Sequence, residues 1–169
     1  KDWLRTGIVP GDYPGPVAAD YPELLAIIEE KVKPERLVNN DEGAQRYWWR
    51  FLRPRPELYS TIQELVRVLG VCLVTHHVGL AFESARFVFA HRLAVFPLDG
   101  YSDFALLQSN VHEPWARSHS SSLETRINYS PSDCFETFPF PGSFAGLESI
   151  GERYYQRRQS IMQTRQDGL

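Results

Sequence analysis

Asp103-Phe-Ala-Leu-Leu-Gln-Ser-Asn-Val-His-Glu-Pro-Trp-Ala-Arg117, Ser118-His-Ser-Ser-Ser122, Leu123-Glu-Thr-Arg-Ile-Asn-Tyr129 and Ser130-Pro-Ser-Asp-Cys-Phe-Glu-Thr-Phe-Pro-Phe-Pro141 follow one another along the chain and decide its fold. In the first block Phe104, Leu107, Val111 and Trp115 recur at helical spacing. This predicts a helix from about Ser102 to Ser118, kinked or bounded at Pro114. The third block alternates, which predicts a strand from Leu123 to Tyr129. Glu124, Arg126 and Asn128 would lie on one face, with Leu123, Ile127 and Tyr129 mostly on the other. In the last block Phe135, Phe138 and Phe140 are packing residues, and Pro139 and Pro141 end the sheet.

Upstream of this module the residues from Arg67 to Pro97 are rich in β-formers. Four strands are expected, over Arg67–Thr75, Gly79–Glu83, Phe87–Ala90 and Arg92–Pro97, with short connections that favour antiparallel pairing. Earlier still, Pro22 opens a helix that should run to about Lys33 and stop at Pro34. A second helix is expected from Asp41, a plausible N-cap, to Leu52, and a third from Glu57 to Val66. Lys1 to Tyr21 is rich in Pro and Gly and reads as a linker or extended arm. Downstream, Gly146 to about Asp167 is a long polar helix. The fold class is α+β: a twisted, mostly antiparallel sheet with flanking helices and a C-terminal helix.

The chain has 169 residues and is 43% hydrophobic, which suffices for one core but not for two full domains. Its 18 basic and 21 acidic residues give a formal charge of −3, which excludes holding nucleic acid by bulk electrostatics. Any such contact has to be local. The two cysteines, Cys72 and Cys134, are far apart and form no CxxC pair, so a reduced, cytoplasmic setting is the default. No apolar run is long enough to span a bilayer, and no membrane partner is expected. The chain begins at Lys1 without an initiator methionine, so it reads as a piece of a longer polypeptide.

Three groups of side chains invite a chemical reading, and each has a plainer one. Glu124, Arg126 and Asn128 are types that read base edges: Arg pairs with guanine, Glu accepts from the cytosine amino group, and Asn pairs with adenine. The same strand could equally be a solvent-facing surface with an internal ion pair. Around Tyr47-Trp-Trp-Arg-Phe-Leu-Arg-Pro-Arg-Pro56, Arg46, Arg50, Arg53 and Arg55 interleave with aromatics and could hold phosphates. Alternatively the aromatics are core and the arginines reach solvent. The run Ser118–Ser122 suits a loop whose hydroxyls, Ser120, Ser121 and Ser122 among them, bond backbone phosphates; a solvated connector is the alternative. His76 and His77 lack the spacing of a metal site, so no metal ligand is assigned. No nucleophile elbow, glycine-rich nucleotide loop, methyltransferase motif or nuclease cluster is present. No catalytic residue is assigned and the chain itself is not read as an enzyme.

The order of these blocks resembles the target-recognition domain of the MmeI-like family of single-chain restriction–modification proteins. The likeness runs from about Arg46 to Arg165, and its most specific part is Ser130–Pro141. It implies that the strand after the serine run reads bases, chiefly through Glu124 and Arg126 and less through Asn128. It implies backbone contacts from Arg46, Arg53, Arg55, Arg117, Ser120, Ser121 and Ser122, and from His76 and His77 at a polar turn facing DNA. The resemblance further implies double-stranded DNA as partner, together with an adenine methyltransferase domain of the same polypeptide. That parent would use S-adenosylmethionine and a divalent metal, neither of which has a site here. It divides the chain into an arm over 1–40, a recognition domain over 41–145 and the start of a helical connector over 146–169. A protein-interaction module with exposed aromatics, and a small hydrolase using His with Asp or Ser, are the rival readings.

Overall fold

A computed structural model describes residues 20–52, 55–123, 125–166 and 168. The chain forms two compact units, Lys1–Pro56 and Glu57–Leu169. No described helix is long and apolar enough to cross a membrane. The arm expected over Lys1–Tyr21 falls, up to residue 19, outside the described residues.

Among its described residues the first unit holds three short helices, α1 (Pro22–Lys31), α2 (Lys33–Leu37) and α3 (Glu42–Arg46). Pro34 does interrupt the first helix, but helical structure resumes at once. It occupies the first turn of α2, where a missing N–H costs nothing, while its ring would clash with the Glu30 carbonyl if α1 ran on through it. Asp41 caps α3, its Oδ1 accepting from Ala44 N at 2.9 Å. The helix expected to reach Leu52 ends instead at Arg46. Tyr47, Trp48 and Trp49 leave helical geometry and pack edge to face, with centroids 5.9 Å apart for Tyr47–Trp49 and 5.7 Å for Trp48–Trp49.

The second unit is mixed α and β, as expected, although the strands among its described residues make two small antiparallel sheets. Helix α4 (Pro56–Ile62) leads into β1 (Arg67–Cys72), the central strand of a sheet ordered β3–β1–β4, with β3 at Leu80–Ser84 and β4 at Leu93–Phe96. Strand β1 is covered on both faces. Val68 packs with Ile62, Ala85 and Phe89, whereas Leu69 and Val71 belong to the main core with Phe96, Phe104 and Leu107. The strand expected at Phe87–Ala90 does not form. Phe87 and Val88 are exposed, and Phe89 turns inward with its N–H donating to Tyr59 Oη.

The long strand expected from Arg67 to Thr75 breaks at Leu73. Beyond it β2 (Val74–Thr75) joins the second sheet, ordered β2–β6–β5, with β5 at Ser121–Leu123 and β6 at Arg126–Asn128. Leu73 ties the sheets together, donating to Arg92 O and accepting from Tyr129 N. The single helix expected over Ser102–Ser118 is two, α5 (Tyr101–Leu107) and α6 (His112–His119). Pro114 sits in the first turn of α6 and its ring bars helix through Asn110, so the break precedes the proline.

The last helix, α7 (Glu148–Arg165), lies directly on α5. Gly151 makes this approach possible, since a Cβ there would stand 2.0 Å from Tyr101 O. Glu148 caps α5 from outside, accepting from Tyr101 N at 3.2 Å and Ser102 N at 2.7 Å. These bonds hold its carboxyl below the ordinary range. Arg158 runs between Phe104 and Tyr155 and donates to Leu80 O and Gln108 Oε1. Gln108 in turn accepts from Leu80 N and donates to Val78 O, fixing the segment between β2 and β3.

Candidate nucleic-acid interface

Of the side chains singled out in the sequence, Arg126, Asn128, the serine run, Arg117, His76 and His77 lie on or beside the second sheet. In β6 Ile127 is buried while Asn128 is exposed and Arg126 half-buried, so Arg126 and Asn128 share the outer face. Register places Val74 and Ser121 on either side of Asn128, and Thr75 opposite Ile127. Asn128 Nδ2 donates to Ser121 Oγ at 3.0 Å. The outer face therefore carries a row of Val74, Asn128 and Ser121. Glu124 lies outside the described residues, as does Arg53.

Instead of one continuous strand from Leu123 to Tyr129, β5 ends at Leu123 and β6 begins at Arg126, paired with it. The serine run is not a loop. Ser118 and His119 form the last turn of α6, and Ser121 to Leu123 are β5. Ser120, half-buried, accepts from Ser130 N. The negative end of the α6 dipole points here, which disfavours a phosphate at Ser118.

His76 and His77 are exposed in the turn after β2, beside the first turn of α6. Arg117 Nη2 donates to His76 O at 2.6 Å. The same guanidinium grips Glu113 Oε1, at 2.6 Å from Nη2 and 3.0 Å from Nε. His77 Nδ1 is 3.8 Å from that carboxylate. Arg117 thus clamps the histidine turn to the helix. The i,i+4 spacing of Glu113 and Arg117 would have revealed the pair in sequence, whereas nothing there revealed Val74 beside Asn128.

Beneath the sheet, His112 and Tyr129 are buried, with His112 Nε2 3.1 Å from Tyr129 Oη. Burial lowers the His112 imidazole to about 4 and raises the Tyr129 phenol. His112 Nδ1 finds no described partner. Phe138 packs edge-on to the His112 ring at 4.7 Å, and Phe135 lies 4.4 Å from Phe96, so the Ser130–Pro141 run supports the sheet from within. Its first turn is a π-helical one, Pro131–Phe135.

Residues 74–142 match the family model of the MmeI target recognition domain. That segment begins at β2 and closes just after the phenylalanine–proline run, so it contains the whole second sheet, the histidine turn and α6. The fold is similar to that of the Type IIL restriction-modification enzyme MmeI, solved in complex with DNA. The match has a TM-score of 0.59 and 20% identity, over 82% of this chain and 19% of that one. The chain thus spans under a fifth of MmeI's length. No curated protein matches it in sequence.

In the first unit Arg46 and Arg50 are exposed, Arg50 lying over the Tyr47 ring at 5.6 Å. Arg55 is half-buried with a φ of 48°. Among the described residues no three His, Cys, Asp or Glu side chains converge as a metal site would require.

Proposed function

We propose that this chain reads DNA sequence for a restriction–modification enzyme, directing an adenine-N6 methyltransferase and a nuclease carried on the same polypeptide. The observation that carries this reading is the MmeI target-recognition match over residues 74–142, which encloses the exposed outer face of β2, β6 and β5. The major groove admits β-strands as well as helices, and Arg and Asn are side chains that distinguish base edges. In this account Glu124, Arg126 and Asn128 contact bases. His76, His77 and the arginines Arg46, Arg53 and Arg55 meet phosphates, which set register without carrying sequence information. Arg117 and Ser120 are assigned to positioning, because their polar groups are engaged within the domain. S-adenosylmethionine and a divalent metal belong to the rest of the polypeptide.

The test is selection of duplexes from a randomised library by the full chain. The expected result is a recovered pool with a defined motif. A pool indistinguishable from the input would overturn the reading.

A docking role has one observation in its favour: Ile150, Tyr154 and Ile161 form an exposed stripe along α7. A pool without any motif, together with loss of a protein partner on Tyr154→Glu, would favour it.

A further inference from the structure

Between the exposed histidine turn and β3, the backbone is held by side chains from α5 and α7. Gln108, which closes α5, donates from Nε2 to Val78 O at 2.7 Å and accepts at Oε1 from Leu80 N at 2.8 Å. Arg158 reaches in from α7, its Nη1 donating to the same Oε1 at 3.0 Å and its Nη2 to Leu80 O. A carboxamide oxygen has two lone pairs, so Leu80 N and Arg158 fill it. Arg158 is costly where it stands. It is half-buried between the Phe104 and Tyr155 rings, no carboxylate meets it among the described residues, and its buried Nε finds no described partner. The rings offset part of that cost. An apolar side chain of similar length would fill the same slot without desolvating a charge, and such replacements are often neutral or stabilising. Stability of the fold therefore does not account for an arginine here. What only the guanidinium supplies is the pair of bonds that ties α7 to the segment behind His76 and His77.

We propose that Arg158 and Gln108 are positioning residues through which the seating of α7 on α5 governs duplex binding by the histidine turn. With α7 seated, Leu80 O and Gln108 Oε1 keep their donor, and the turn presents both imidazoles on a fixed backbone. With α7 displaced, both oxygens lose it and the turn loosens from its inner end, although Arg117 still grips His76 O. Linkage makes the effect reciprocal: a duplex that favours the ordered turn also favours the seated helix. This inference rests on the reading of the chain as a DNA-recognition module, and it gives that module a control point in α7, outside residues 74–142.

The experiment uses the full chain and the duplex recovered from its own library selection. Arg158→Met should fold with a Tm no lower than wild type, yet bind that duplex about 2–30-fold more weakly, with its motif unchanged. Gln108→Met should also lose affinity, and the two losses should not add in the double variant, because both residues act on the same segment. Hydrogen exchange of the α7 amides should slow when duplex is added to wild type, and this protection should be missing from Arg158→Met. Wild-type affinity in Arg158→Met would overturn the inference while leaving DNA recognition standing. A fall in its Tm in step with its affinity would also overturn it, marking the arginine as scaffold. Duplex protection of α7 that persists in Arg158→Met would do the same, pointing to direct contact between α7 and DNA. A wild-type pool without any motif would bring down the recognition reading itself, and this inference with it.

Discussion

The imidazole of His112 and the phenol of Tyr129 meet at 3.1 Å where solvent is excluded, joining α6 to the residue that follows β6. The outer face of the second sheet is thus set from beneath by a buried polar pair. Because burial favours the neutral ring, this pair makes the sheet acid-sensitive.

The sign follows from the His112 pKa, about 4 in the fold against 6.5 when exposed. A histidine lowered in this way contributes stability that is fully present above pH 6.5 and lost as pH falls towards 4. That loss amounts to about 3 kcal/mol. Denaturant titrations at pH 7, 5.5 and 4.5 should show it, and His112→Gln should flatten the dependence across that window. A wild type equally stable at pH 7 and 4.5 would contradict it.

Gly151→Ala should destabilise the second unit by about 2 kcal/mol or more, because the added Cβ would sit 2.0 Å from Tyr101 O and push α7 off α5. Elsewhere in a helix the same exchange stabilises by about 1 kcal/mol, so the direction alone is diagnostic. Thermal unfolding of the variant decides it.

Arg117→Ala should loosen the turn that carries His76 and His77, since the guanidinium bonds the His76 carbonyl. Affinity for duplex DNA should fall while the slope of log affinity against log salt stays unchanged. His77→Ala, which removes a proposed phosphate contact, should lower that slope by up to about one. Salt titrations of both variants separate a clamp from a contact.

Much of this architecture was legible in local chemistry. The alternation Arg126-Ile127-Asn128 gave the buried and exposed faces of β6, Asp41 announced the cap of α3, and aromatic spacing placed Phe104 and Leu107 in the core. What escaped depends on pairing between distant segments. Nothing in Arg67–Thr75 signals that Leu73 marks a change of sheet, because its partners, Arg92 and Tyr129, lie 19 and 56 residues away by subtraction of their numbers. The serine run reads locally as a loop for a similar reason. Ser121 to Leu123 become a strand only because β6 pairs with them. Likewise nothing local signals that Arg117 reaches the carbonyl of His76, 41 residues away.

The central claim is that the second sheet chooses the DNA sequence. Its most direct test maps modified adenines across a bacterial genome in cells expressing the polypeptide that carries this chain, with Glu124→Lys and Arg126→Asp exchanged together. The account predicts methylation at a new motif that differs from the old one at a single position. Methylation of the original motif at undiminished efficiency would contradict it.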